Sequence, residues 1–399
     1  MSTAATSLRS DVKVIGLVCV AHMMSHFYGL VVPPIFFLLR EEFGVGYAAM
    51  GFAMTMFYVV SGLLQTPAGF LVDRLGARVV LVGGLALVSA GTLFIGLAPT
   101  YPLLLAAFAV AGAGNSVVHP ADMAILNARV DPSRLGYAFS THAVSGNLGW
   151  VVAPLFSVAL GTAFGWRTAM VAAGAIGLAL VLLLAVQPAL KTEGHAAALR
   201  ERGNAGLRAD LGLLLSAPVL TCFTFFVFSS VTTIGLQTFS IPAMVGLYGV
   251  AIAAATGTLT GYLAGGVAGT LAGGVVASWT RRHDAAAVTG ILIAMLFVLA
   301  LASGVLPQAL LALAMALAGF FVGSVNPSRD IVVRNVTPAH ARGKVYGFVY
   351  SGIDLGSSVG PPVVGWLLDT GHPQLVFLAS AGALLMCAAS MFLLGRLPR

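Results

Sequence analysis

Long apolar runs alternate with short polar gaps along this chain. The runs lie near 12–39, 46–72, 78–98, 102–126, 136–163 and 167–189, then near 215–241, 248–278, 285–305, 308–333, 343–368 and 374–395. Each is about 20 residues or more, the length a helix needs to cross a bilayer. Twelve runs therefore predict an all-α polytopic membrane protein with twelve transmembrane helices. One polar stretch, rich in Arg, Glu and Gly, interrupts the pattern midway. It divides the chain into an N-terminal six-helix bundle (1–190), a cytoplasmic linker (191–212) and a C-terminal six-helix bundle (213–399).

The two bundles carry a common pattern. Gly112 to Pro154 aligns without gaps on Gly319 to Pro361, an offset of 207 residues. Gly112 meets Gly319, Pro120 meets Pro327, Gly136 meets Gly343, Gly149 meets Gly356 and Pro154 meets Pro361. Gly and Pro constrain backbone, so the repeat preserves a chain path more than a surface. At the same offset His22, Ser25 and His26 fall on Ser229, Thr232 and Thr233. Two equivalent halves in parallel orientation are an architecture of secondary transporters.

Composition agrees with the pattern: charged residues are 8% of the chain, where a soluble domain has about 25%. The charges also orient it. With twelve spans, 17 of the 20 Lys and Arg fall on the side of both termini. Arg40 and Arg167 fall opposite, and Arg329 lies inside a run. The positive-inside rule then puts both termini in the cytoplasm of a multi-pass inner-membrane protein. The net charge of +7 reflects this topology and contact with anionic lipid, not nucleic acid. Cys19, Cys222 and Cys387 sit within apolar runs, so no disulfide framework is expected. Nor does any sequence spacing predict a metal site, and no cofactor motif stands out.

Between the second and third runs lies Gly69-Phe-Leu-Val-Asp73-Arg74-Leu-Gly76-Ala77-Arg78. It resembles the loop signature G-x-L-x-D-R-x-G-R-R of the major facilitator superfamily, departing from it at Ala77. The resemblance implies two six-helix bundles around a central cavity. It also implies a gating role for Gly69, Asp73, Arg74, Gly76 and Arg78, with Asp73 accepting from a helix N-terminus of the facing half. Asp122, Arg329, Asp330 and Arg334 are the charges that would extend this lock; Asp330 and Arg334 stand one turn apart. Gly149-Trp-Val-Val-Ala153-Pro154 is similar to the G-x-x-x-G-P motif of proton-linked antiporters, and Gly356 to Pro361 matches it in full. The segments around His119-Pro120 and Ser145 to Gly149 are similar to the fosmidomycin-resistance branch.

Ionisable residues within a membrane helix are costly and mark function. Asp354 lies near the middle of run eleven, at the repeat position of Asn147, with Tyr350 one turn before it. His22 and His26 stand one turn apart on run one and form a polar stripe with Ser25 and Gly29. His119 and Asn115 on run four, His142 on run five, and Thr233 and Gln237 on run seven complete the expected substrate and proton cavity. Run eight places Gly257, Gly261, Gly265, Gly269 and Gly273 at every fourth residue, a face on which helices pack closely. Together these predict proton-coupled secondary transport of a small organic solute, organic acids included, by a monomer. Proton-antiport efflux of a drug or metabolite is the alternative, and a membrane receptor on the same fold comes third. No catalytic constellation is present, so an enzyme is not expected.

Overall fold

The computed structural model describes residues 8–190, 212–336 and 342–396. Fourteen α-helices of eight residues or more lie among them: α1 Leu8–Leu30, α2 Phe36–Phe43, α3 Tyr47–Leu75, α4 Ala77–Leu97, α5 Tyr101–Asn115, α6 Val118–Arg129 and α7 Leu135–Phe164. After these come α8 Trp166–Ala185, α9 Ala217–Tyr248, α10 Ile252–Trp279, α11 His283–Ala302, α12 Gln308–Val336, α13 Arg342–Asp369 and α14 Gln374–Arg396. No strand occurs among the described residues. The linker, apart from its last residue, lies outside them.

Twelve apolar runs became fourteen helices because two of them break. Run one passes through a short 3-10 turn at Pro33–Ile35 between α1 and α2, where two successive prolines remove backbone donors. Run four breaks at Ser116 and Val117, just before Pro120, whose missing N–H leaves the Ser116 carbonyl without a helical donor. Among the described residues, eleven segments are long and apolar enough to cross a membrane, with Leu8–Phe43 counted as one. The remaining run is α13, a 28-residue helix that carries Asp354.

Prolines 67, 154, 242, 327, 361 and 362 lie inside unbroken helices. A neighbouring side chain explains one of them. The Thr55 hydroxyl donates to the carbonyl of Ser358, the acceptor that Pro362 deprives of its backbone donor.

Packing divides the chain into two compact units, Met1–Leu39 with Met56–Arg202, and Arg40–Thr55 with Gly203–Arg399. Within the first, α1 packs on α7, and α4 packs on α8 and α5. In the second, the 207-residue equivalents pair the same way: α9 on α13, and α11 on α14 and α12. The matching glycines make the matching contacts. A β-carbon at Gly149 would overlap the Met23 carbonyl of α1, and one at Gly356 would overlap the Val227 carbonyl of α9. A side chain at either position would force the pair apart, which is why the repeat retains Gly there.

The second unit also contains the glycine seam. Gly261, Gly265, Gly269 and Gly273 of α10 face the carbonyls of Ala312, Ala316, Phe320 and Ser324 on α12. In return Gly319 and Gly323 of α12 lie against the carbonyls of Tyr262 and Gly266. Gly257 is outside the seam, where a β-carbon would meet nothing within 4 Å. At the first turn of α3, Asp369 accepts from the backbone N–H groups of Tyr47 at 2.7 Å and Ala48 at 2.8 Å. That contact groups the start of α3 with the second unit.

Candidate functional site

The break between α5 and α6 sets up the polar centre of the first unit. It turns α6 so that His119 and Asp122, three residues apart, face α1 and α7. Asp122 is fully buried, with 0% exposure, and His22 and His142 are nearly so at 2% and 4%. One carboxylate oxygen, Oδ2 of Asp122, lies 3.1 Å from His142 Nε2 and 3.3 Å from His22 Nδ1. The first of these contacts has hydrogen-bond geometry; the second is a close approach out of alignment. The other carboxylate oxygen has no hydrogen-bond partner among the described residues.

Four imidazoles gather around this acid. The rings of His22 and His142 stack with centroids 3.5 Å apart. His26 lies 4.4 Å from His22, and His119 lies 5.0 Å from His22 and 5.7 Å from His26. Trp150 closes one side, 4.5 Å from His26. Space for the rings comes from Gly146, where a β-carbon would stand 2.7 Å from His22 Nε2 and 2.9 Å from His26 Nδ1. Alongside, the Ser25 hydroxyl donates to Asn115 Oδ1 at 2.8 Å, and Asn115 Nδ2 donates to Ser61 at 3.0 Å.

The polar stripe of α1 is therefore packed within its own unit. His22 and Ser25 are buried against α5, α6 and α7, while His26 and His119 are half-buried. Asp122, read from the sequence with the gating charges, sits among the histidines. Asn147, on another face of α7, is half-buried and outside the cluster.

In the second unit the equivalent of Asp122 is Arg329. Its guanidinium stacks over the Phe226 ring at 4.6 Å and donates to Asn326 Oδ1 and Asp330 Oδ1, each at 2.9 Å. Tyr350 donates to the same Asp330 oxygen at 3.3 Å, so its hydroxyl reaches α12 instead of Asp354 one turn along. Both units thus keep a charge at this repeat position, of opposite sign and with different partners. Gln237 is buried and Thr233 half-buried on α9.

Asp354 contrasts with these groups. It is half-buried near the middle of α13, and its carboxylate makes no hydrogen bond or ion pair with any described residue. In the loop signature, Gly76 adopts φ +85° at the start of α4, a left-handed conformation that suits glycine. The side chain of Asp73 lies outside the described residues. Gly146, Ser61, Trp150 and Asn326 are members of these clusters that the sequence did not single out. A signal existed for the first: Gly146 stands one turn after His142 on the same face of α7.

The family model of the Major Facilitator Superfamily matches residues 17–307 and 233–399. The chain belongs to that superfamily, and its apolar helices are those of a multi-pass membrane protein. It is 31% identical over 244 residues to the Multidrug resistance protein B homolog of Mycobacterium tuberculosis, a match covering 60% of this chain and 43% of that protein. It is 26% identical over 164 residues to the Fosmidomycin resistance protein of Escherichia coli, covering 41% of this chain and 40% of that one. The chain thus spans less than half the length of either relative. Among solved structures, a bacterial homolog of the human lysosomal transporter Spinster superposes with a TM-score of 0.80 at 17% identity, covering 98% of both chains. That likeness is one of fold.

Proposed function

We propose that this protein is a proton-coupled secondary transporter of a small organic solute, working by alternating access in the bacterial inner membrane. In this reading it acts as a monomer with both termini in the cytoplasm. The observation that carries the coupling is Asp354, a carboxylate in the middle of a membrane helix with no counter-charge among the described residues. Such a group holds its proton while its surroundings are dry and gives it up when water reaches it. Exposure to the two sides in turn would load and release one proton per cycle. An organic acid is the first solute class to test, because Arg329 places a permanent cation within α12, stacked on Phe226. Its pairing with Asp330 supports a second role in gating.

Proton-antiport efflux is the second reading, supported by the similarity to a protein named for multidrug resistance. Proteoliposomes with an imposed pH gradient and a solute panel separate the two by the direction of accumulation. In either case Asp354→Asn is expected to abolish gradient-driven accumulation while counterflow exchange persists. If the variant concentrates solute as the wild type does, the proton does not travel on Asp354.

A further inference from the structure

We infer that His22, His26 and His119 form a binding site for a divalent transition-metal ion, with Asp122 and His142 as its supporting shell. One ligand nitrogen from each of the three histidines falls within 4.8 Å of the others. Tetrahedral coordination at Zn–N distances of about 2.0–2.1 Å would bring them closer together, an approach that side-chain rotation can supply.

The contacts around Asp122 select these three. His142 Nε2 lies 3.1 Å from Asp122 Oδ2 in hydrogen-bond geometry and is engaged. His22 Nδ1 stands 3.3 Å from the same oxygen, out of hydrogen-bond alignment. The other ring nitrogen of His22, Nε2, is the atom beside Gly146. His26 Nδ1 borders the same space, and this buried atom has no hydrogen-bond partner among the described residues. These two nitrogens thus lie side by side against the bare backbone of Gly146, where a methyl group would clash with both. His119, half-buried at the edge, adds the third.

A carboxylate beside the far nitrogen of a metal-bound imidazole raises the ligand's basicity and holds its ring, and a small rotation of His22 would complete that pairing with Asp122. Neutral imidazoles suit Zn2+, Co2+, Ni2+ and Cu2+ rather than Mg2+ or Ca2+, which prefer oxygen. A second set, His22, Asp122 and His142, is also close enough to coordinate, but the hydrogen bond between its acid and His142 is already made. The alternative is a packed polar core. It leaves unexplained why four imidazoles converge where buried ring nitrogens and a carboxylate oxygen go unpartnered.

The site lies in the first unit and Asp354 in the second, so this inference does not rest on the coupling reading. The test uses the full chain in detergent with any affinity tag removed. Equilibrium dialysis with Co2+ is expected to give one tightly bound ion per chain, with the visible d–d bands of a tetrahedral nitrogen site. Zn2+ should displace it and Mg2+ should not. His26→Ala and His119→Ala should each weaken binding at least about tenfold, and Asp122→Asn should weaken it by about 10–100-fold. Each variant is to be monodisperse by size exclusion before it is scored. Wild-type protein that binds no Co2+ or Zn2+ stoichiometrically overturns the inference without reference to any variant. So does binding that survives the His26→Ala, His119→Ala double substitution unchanged.

Discussion

The glycine seam between α10 and α12 yields a paired test, because α10 carries its own control. Gly269→Ala places a methyl group 2.6 Å from the carbonyl carbon and 2.8 Å from the Cα of Phe320, closer still to the carbonyl oxygen. All three are backbone atoms and cannot swing aside, so α12 must move. Overpacking of this kind costs about 1–3 kcal/mol. Against it stands the helix gain of Ala over Gly, roughly 0.5–1 kcal/mol. The net is a loss of up to about 2.5 kcal/mol. Gly257→Ala, with nothing within 4 Å, keeps the gain without the clash. The two variants should therefore move in opposite directions, and their melting temperatures should differ by several degrees, at about 2–4 °C per kcal/mol for a unit of this size. Thermal unfolding of the purified protein in one detergent, followed by tryptophan fluorescence, measures the difference. If Gly269→Ala melts at or above the wild type, close backbone approach does not hold this seam together. If both variants shift equally, the distinction drawn from packing is wrong.

Two further expectations concern topology and backbone satisfaction. Reporter fusions at the C-terminus should score as cytoplasmic, given the 17-to-2 distribution of basic residues; a periplasmic signal would overturn both the orientation and the even number of spans. Thr55→Val, which keeps shape but removes the hydroxyl, leaves the Ser358 carbonyl without its donor and should cost about 1–3 kcal/mol in thermal unfolding. A variant as stable as the wild type would mean that this carbonyl is satisfied by other means.

Several features were legible in the residues alone. The helices follow from the lengths of the apolar runs, since a chain in lipid must satisfy its backbone locally. The repeat was visible because Gly149 and Gly356 serve the same crossing, and a position that admits no side chain leaves a mark in sequence. The four histidines and Asp122 also stood out one by one as ionisable groups in apolar surroundings. Their grouping did not. His22, His119 and His142 are separated by many residues, and nothing along the chain sets the rotation of α1 against α6 and α7. The break before Pro120 decides which way His119 and Asp122 turn, yet Pro327, at the same repeat position, leaves α12 unbroken. Proline thus had opposite local outcomes that only the neighbouring helices could settle.

The sequence by itself determined the number and length of the apolar runs, the twofold internal repeat, the charge asymmetry and the family. These depend on local hydrophobicity and on backbone constraint, which are properties of a stretch of chain. Only the tertiary structure decided that Asp122 joins the histidines while Arg329 stacks on Phe226 of α9. It alone turned Tyr350 to Asp330 and left Asp354 without a partner among the described residues. Those outcomes depend on the rotation of one helix against another. That rotation is set by the sum of many small contacts, which no single run of residues encodes.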